Sequence, residues 1–176
     1  MNSTKRIAFM GILLAVIVIC SWISIPFTIP FTLQTFGIFL AVMVLDTWGS
    51  LLTVLGYLLL GLIGLPVFSG FKGGIGVILG PTGGYILGFL FSTLIAGKLM
   101  EVFPKGRVYS YLSMIIGLIV CYIFGTLWFV YMYTGKESMT FVNALALCVF
   151  PFIIPDLIKI VLAEYLGGYL KNVYQK

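Results

Sequence analysis

The sequence contains no histidine and few charges: of its 176 residues 9% are charged, and its 3 cysteines stand singly inside apolar runs. Without histidine or a CxxC pair, neither a metal site nor a disulfide framework is expected. The GxxxxGK[ST] motif is missing, which argues against an ATP-driven motor in this chain. There is also no Ser/His constellation for hydrolysis. The sequence therefore predicts neither an enzyme nor a cofactor-dependent protein.

What the chain does contain is long apolar runs. It is 61% hydrophobic, with a mean hydropathy of +1.19. Such a composition is typical of an integral membrane protein that lies in the lipid bilayer. The runs are continuous rather than alternating, which favours helices over a barrel. The net charge of +5 is scattered and forms no basic patch, so nucleic-acid binding is not expected.

The apolar runs predict an all-α membrane protein with one domain, 1–176, and six membrane-spanning helices. The first run follows Lys5 and Arg6 as in a signal peptide, but it is long and has a poor cleavage site, so a retained helix is expected. Pro151 and Pro155 are possible breaks in the last helix. The predicted helices cover residues 6–25, 34–45, 48–64, 82–102, 109–133 and 141–170.

Basic residues indicate the orientation of these helices. An even number of spans puts both termini on one side. That side would hold seven basic residues, namely Lys5, Arg6, Lys98, Lys105, Arg107, Lys171 and Lys176. The opposite side would hold only Lys72 and Lys136. The positive-inside rule therefore predicts cytoplasmic termini and an outer loop between the third and fourth helices.

That outer loop is rich in glycine. Residues 65–85 read LPVFSGFKGGIGVILGPTGGY, with seven glycines and one cation, Lys72. Glycine permits positive φ and close approach of another group, so the loop is a candidate lid or floor for a small ligand. A loop that only joins two helices is the equally weighted alternative. The candidate ligand-binding residues of the loop are Phe68, Ser69, Lys72, Gly73, Gly74, Thr82 and Tyr85.

Asp156 and Lys159 lie three residues apart, on one face of the last helix, within the apolar run 149–163. A charge at membrane depth costs at least ~2.5 kcal/mol, and such residues usually mark a functional site. The alternative is a neutralised pair that fixes helix packing. Pro155 favours the functional interpretation because proline frees backbone carbonyls nearby. Gln34, at the start of the second helix, is either a ligand contact or part of an N-cap.

Two other acids are interpreted as structural. Asp46 lies in a tight turn, where it or the next threonine is expected to cap the third helix. Glu164 lies closer to the cytoplasmic end, and we expect it to be solvated or interfacial. Neither acid is predicted to belong to the ligand site.

Small residues on the first helix form a candidate docking face. Gly11 and Ala15 make a small-xxx-small pair, and Ala8 lies nearby. Such residues let another helix approach closely. The partner is either another helix of this chain or a separate subunit.

Three stretches together resemble a known family: GLPVFSGFKGGIGVILGPTGGYILGF, PFTLQTFGIFLA and PDLIK. They are similar to BioY, the biotin-specific substrate-binding (S) component of energy-coupling factor (ECF) transporters. The resemblance covers nearly the whole chain. It implies a six-helix protein of the prokaryotic cell membrane that binds biotin tightly from outside. It also implies a transmembrane coupling subunit and two ATPase subunits as partners, which drive import.

The resemblance carries over to individual residues. The basic residue of the family's Gly-rich loop falls on Lys72, and the acid and lysine of the last helix fall on Asp156 and Lys159. The family's Ala-x-x-x-Ala docking motif begins at Ala8 but meets Ile12 at its second place. Gly11 and Ala15 are the expected substitutes.

The chemistry of biotin fits these residues. Its carboxylate requires a cation, Lys72 or Lys159, and the sequence leaves that choice open. Its ureido N–H groups require an acceptor, for which Asp156 is the candidate, with Lys159 holding Asp156 or the ligand carbonyl. Tight pockets are mostly apolar with a few fixed polar groups. Candidate aromatic walls are Phe31, Phe68 and Tyr85.

Other functions stay open at this point. A related S component for a different vitamin would share most of these features. A small intramembrane enzyme could use Asp156 and Lys159 as an acid–base pair, but no third polar group stands out. A channel is disfavoured because too few polar residues are present to line a pore.

Overall fold

The computed structural model describes residues 3–26, 29–133 and 140–175, and these are mostly helical. Two very short strands, β1 (Ser24–Ile25) and β2 (Phe31–Thr32), pair antiparallel, with Ser24 opposite Thr32. A 3₁₀ turn occupies Ser69–Phe71. The helices are α1 (Ser3–Trp22), α2 (Gln34–Val44), α3 (Thr47–Leu62), α4 (Ile75–Ile78), α5 (Gly83–Val102), α6 (Arg107–Tyr133), α7 (Phe141–Cys148) and α8 (Phe150–Gln175).

Three of the described helices, α1, α5 and α6, are long and apolar enough to cross a membrane. The pair α7 and α8, bent by 46°, makes a fourth if it counts as one span. Helices α2 and α3 are apolar but shorter. The prediction of a helical membrane protein agrees with this architecture, whereas length and composition identify three to four candidate spans among the described residues, and six spans stay a prediction.

The break in the last helix falls at Val149, which has φ −124° and ψ −54°. Pro151 follows it in the first turn of α8, where a missing N–H costs little. Pro155 lies inside the continuous α8 and does not end it. Of the two breaks considered from the sequence, the one beside Pro151 is therefore observed.

Close packing of α5 on α6 fixes one wall of the bundle. A Cβ added at Gly125 would lie 2.2 Å from Cδ1 of Tyr85, so only glycine lets the Tyr85 ring lie against α6. The Tyr85 hydroxyl is 3.0 Å from Oγ1 of Thr126, one residue further along α6. The packing against Gly125 fixes the position of the Tyr85 ring, and the contact with Thr126 fixes its hydroxyl.

The second wall is built by α1, α2, α3 and α8. Helix α2 packs against α1 and α8 and is buried along most of its length. Ile17, Ile38 and Val54 are almost fully buried between these helices. The apolar all-round character of α2 is what a helix surrounded by other helices requires.

Asp46 caps α3, as predicted. Its side chain accepts from the backbone N–H of Gly49 at 3.4 Å, and its Oδ2 lies 2.8 Å from Nη2 of Arg6. The ion pair joins the start of α1 to the turn between α2 and α3.

Glu164 was predicted to be solvated or interfacial, and the solvated alternative is wrong. It is only 6% exposed, accepts from the Tyr111 hydroxyl at 3.1 Å and lies 3.5 Å from Nε of Arg107. Both partners come from the start of α6, which packs beside this part of α8 and covers the carboxylate.

Candidate ligand-binding site

A cavity of about 350 Å³ lies between the ends of α2, α5, α6 and α8, beneath the Gly-rich segment 65–85. We call it the outer cavity. Its lining includes eight of the residues predicted from the sequence: Gln34, Phe68, Ser69, Lys72, Thr82, Tyr85, Asp156 and Lys159. The structure thus brings residues distant in the chain to one cavity of small-molecule size.

Asp156 and Lys159 form a buried ion pair at this cavity. The Lys159 Nζ is 2.7 Å from Oδ1 of Asp156, and each residue is 3% exposed. Nζ also donates to the backbone carbonyl of Thr32 at 2.6 Å. It lies 4.2 Å from the centroid of the Phe31 ring, within range of a cation–π contact. The ammonium is therefore held from three directions.

The carboxylate of Asp156 is equally well held. Oδ1 also accepts from the hydroxyl of Thr35 at 2.9 Å, and Oδ2 accepts from the hydroxyl of Tyr122 at 2.5 Å. These contacts join α8 to α2 and α6. A buried charge is tolerated when it is paired and hydrogen-bonded in this way.

Gln34 is the first residue of α2, as predicted, but it does not cap that helix. The N-cap is Leu33, which makes no side-chain capping bond. The Gln34 amide instead donates from Nε2 to the Tyr57 hydroxyl at 2.6 Å. The side chain is therefore fixed at the edge of the outer cavity.

The apolar walls come from several aromatic rings. Phe68 is 1% exposed and meets the Tyr57 ring edge-on, with centroids 5.4 Å apart. Phe152 lines the cavity, and Phe31 stacks on it at 5.9 Å. Phe31 itself is not among the lining residues, so it supports the wall from behind.

Lys72 lines the outer cavity from the Gly-rich segment and is exposed. Its backbone carbonyl accepts from the N–H of Phe68 at 2.9 Å, which closes a tight loop. Its ammonium makes no hydrogen bond or ion pair with any residue in the described ranges. Lys72 is thus a cation at the cavity that has no internal counter-charge.

Gly73 and Gly74 were predicted as ligand contacts but are not among the lining residues. A Cβ at Gly73 would lie 2.2 Å from the carbonyl oxygen of Leu65. Gly74 has φ +93° and donates its N–H to the carbonyl of Gly61 at 2.7 Å. Both glycines have a backbone role, because they let the segment fold back on the end of α3.

Aromatic side chains anchor the Gly-rich segment at both ends. The indole N–H of Trp22 donates to the carbonyl of Pro66 at 2.7 Å, and that of Trp128 donates to the carbonyl of Gly80 at 3.0 Å. The ring of Phe71 stacks on Trp22 with centroids 5.1 Å apart. The segment is therefore an ordered cover that is fastened to α1 and α6.

Sequence reasoning missed Tyr57 and Tyr122. Each tyrosine lies in the middle of an apolar helix, where its ring fits the apolar pattern and its hydroxyl gives no separate signal. The signal that could have found them is the unmet need of Asp156 and Gln34 for hydrogen-bond partners.

The arrangement of these residues is suited to binding a small molecule. The lining combines apolar rings with one acid, two amines and several hydroxyls. Among residues 3–26, 29–133 and 140–175 no group of three or more His, Cys, Asp or Glu could hold a metal ion.

A helical membrane bundle with one covered, mostly apolar cavity and a few fixed polar groups is a membrane protein that binds a small solute. Within that class the chain belongs to the BioY family, whose family model matches residues 1–176. The resemblance noted in the sequence is thereby confirmed. Since this is a family of transporter components, the prediction that the chain is not an enzyme is confirmed as well.

Individual relatives agree with this assignment. The chain is 41% identical to a Biotin transporter BioY of Thermotoga maritima, over 93% of this chain and 94% of that protein. It is 39% identical to a Probable biotin transporter BioY of Pyrococcus horikoshii, over 93% of this chain and 97% of that protein. A crystal structure of the S-component for biotin from an ECF-type ABC transporter matches with a TM-score of 0.88 and 26% identity, covering 98% of this chain and 95% of that one.

Proposed function

We propose that the protein binds biotin with high affinity from the extracellular side and delivers it inward as the S component of an ECF-type importer. The observation that carries this proposal is that Lys72, Asp156 and Lys159 line one cavity of about 350 Å³. Relatives over nearly the full length are named biotin transporters, and the similar crystal structure is of a biotin S-component.

Hydrogen-bond counting supports a particular pose. A carboxylate has about four lone-pair sites, and Asp156 uses three of them for Thr35, Tyr122 and Lys159. One site is left to accept a ureido N–H of biotin. An ammonium has three donors, and Lys159 uses two, which leaves one for the ureido carbonyl.

The charge balance assigns the carboxylate tail to Lys72. Asp156 and Lys159 neutralise each other at 2.7 Å. Lys72 is the other charged residue of the lining, and its ammonium has no partner in the part of the chain that is described. The flexible tail would then lie toward the Gly-rich segment, and the ring system would lie deeper, among Phe68, Tyr85 and Phe152.

The proposed topology has six spans, formed by α1, α2, α3, α5, α6 and the α7–α8 pair, with cytoplasmic termini in the cell membrane. Helices α2 and α3 have 11 and 16 residues. At 1.5 Å per residue they are roughly 16 and 24 Å long, short of a 30 Å hydrocarbon core. Non-helical backbone can complete these crossings because it is buried in protein at the outer cavity. Lysine and arginine are in excess at the end of the bundle away from the outer cavity, which supports a cytoplasmic position for that end.

The outward face of α1 is the proposed docking surface for the transmembrane coupling subunit, which would carry two ATPase subunits. Ala8, Gly11 and Ala15 are all exposed. A Cβ at Gly11 would meet nothing within 4 Å, so the surface there is open. Ile12, where the resemblance expects a small residue, is 60% exposed on the same face. Small residues of this kind allow close approach of a partner helix.

The decisive experiment is isothermal titration of the full chain in detergent with biotin, thiamine and riboflavin. The proposal expects binding of biotin alone. Binding of thiamine or riboflavin in its place would identify an S component for another vitamin.

A further inference from the structure

A second cavity lies at the end of the bundle opposite to the outer cavity. It has a volume of about 1030 Å³ and is lined by the start of α1, the ends of α2, α5 and α8, and the start of α6. We call it the inner cavity. Nothing in the biotin site extends to it, because no residue lines both cavities.

The charged groups of the inner cavity do not balance. Its three acids are all paired: Asp46 with Arg6, Glu164 with Arg107, and Glu101 with Lys98, which lies outside the lining. Lys105 and Lys171 also line it, and neither forms an ion pair or hydrogen bond within the described chain. Two cations facing a shared space without a counter-charge favour an anion.

Two buried polar atoms of the lining also lack partners. The hydroxyl of Tyr174, a residue that is only 5% exposed, has no hydrogen-bond partner. The same holds for Nε of Arg6, although Nη2 of that residue is bound to Asp46. A buried donor without a partner costs free energy, and such orphans are uncommon in folded proteins. Here two of them lie on the same cavity as the two unpaired ammoniums.

The surroundings identify the source of the anion. Val102 and Val108, which flank the cavity on the α5–α6 turn, are 77% and 66% exposed. Phe103 and Tyr109 form a ring pair at 5.9 Å on the same turn and line the cavity. A phospholipid can place its headgroup in a basic pocket at helix ends while its acyl chains lie along the protein surface beside the pocket. The exposed apolar and aromatic side chains here provide such a surface.

We propose that the inner cavity binds the phosphate headgroup of an anionic phospholipid, with Lys105, Lys171, Arg6 Nε and the Tyr174 hydroxyl as its donors. A volume of about 1030 Å³ admits a whole glycerophosphate headgroup. The lipid would fasten α8 to the α5–α6 turn at the end away from the biotin site.

The test is native mass spectrometry of the full-length protein released from mixed micelles of phosphatidylglycerol and phosphatidylcholine. The wild type is expected to retain phosphatidylglycerol selectively. In the double variant K105Q/K171Q that retention should fall by roughly 30-fold, since each cation near a membrane surface contributes about a factor of five. The matched control K5Q removes a lysine at the same end that does not line the cavity, and it should retain the lipid, whereas K105Q and K171Q alone should each retain about fivefold less.

Equal loss in K5Q and in the single variants K105Q and K171Q would overturn the proposal, because it would reduce the effect to the net charge of that end. Displacement of the lipid by millimolar inorganic phosphate would also overturn it, because the site would then take a free anion. If K105Q/K171Q is unstable, Tyr174→Phe provides the second measure, and unchanged lipid retention in it would overturn the proposal. Biotin titration of the same samples separates these outcomes from failure of the proposed function.

Discussion

The hydroxyl of Tyr122 on α6 donates to Oδ2 of Asp156 on α8 across 2.5 Å. This contact orients the carboxylate while its other oxygen receives Thr35 and Lys159. Three helices thus meet at one buried acid, and the acid faces the outer cavity in a fixed orientation.

Replacing Tyr122 by Phe removes one of the three donors. We expect biotin to bind roughly tenfold more weakly, because a hydrogen bond to a charged group contributes about 1.5–3 kcal/mol. Isothermal titration measures the change. The matched control is Tyr111→Phe, which removes a hydroxyl bound to Glu164 at the far end of the bundle and should leave the biotin affinity as it is. Equal effects of the two variants would contradict a role for Tyr122 at the site.

Asp156→Asn tests the ligand role against a packing role of the ion pair. Biotin affinity should fall roughly tenfold to 100-fold as a charged acceptor is lost. The melting temperature should fall too, because Lys159 is left buried without its counter-charge. In the double variant Asp156→Asn with Lys159→Met, stability should largely return while binding stays weak. Full biotin binding by the double variant would show that the pair only fixes packing.

Lys72→Gln should weaken the binding of biotin by about fivefold, in keeping with a single exposed charged contact. Biotin amide, which has no carboxylate, should bind the variant and the wild type equally well. Titration of the two ligands against the two proteins gives the comparison. Lys98→Gln, a cation at the opposite end that pairs with Glu101, is the control. A parallel loss for the amide would mean that Lys72 does not hold the tail.

Gly73→Ala should disturb the cover of the outer cavity, since its Cβ would lie 2.2 Å from the backbone oxygen of Leu65. We expect a lower melting temperature and weaker biotin binding. Gly76→Ala is the matched control in the same segment, because a Cβ there would meet nothing within 4 Å. Thermal unfolding with and without biotin separates the two variants, and identical curves would refute the backbone role of Gly73.

Gly11→Trp should block the proposed docking face without touching the biotin site. Biotin titration should be unchanged, and co-purification with a coexpressed coupling subunit should be lost. Ile119→Trp, on a half-exposed position of α6, places the same bulk on another helix and should leave co-purification intact. If Gly11→Trp still co-purifies with the coupling subunit, the docking surface does not lie on this face of α1.

Much of the site could be predicted because ionisable residues are conspicuous in an apolar sequence. Asp156, Lys159 and Lys72 stand out for that reason alone, and all three line the outer cavity. Tyr122 and Tyr57 could not be found in the same way. Which helix faces bring their hydroxyls to Asp156 and Gln34 depends on packing between distant segments, which the pattern of one chain does not specify.

The helices were predictable from the apolar runs, but the connecting segments were not. The Gly-rich segment contains the short helix α4 and a 3₁₀ turn. Neither could be predicted, because the many glycines of this segment disfavour helices. Glu164 was misjudged for a related reason. Its place toward the cytoplasmic end suggested a solvated or interfacial side chain, whereas Tyr111 and Arg107 of α6 cover it.

The mutual neutralisation of Asp156 and Lys159 has an electrical consequence. In the proposed pose, a bound monoanion opposite Lys72 leaves the outer cavity without net charge, whereas the empty cavity carries one positive charge. Moving one elementary charge through 100 mV requires about 2.3 kcal/mol. The membrane voltage would therefore act on the net charge of the outer cavity only while that cavity is vacant.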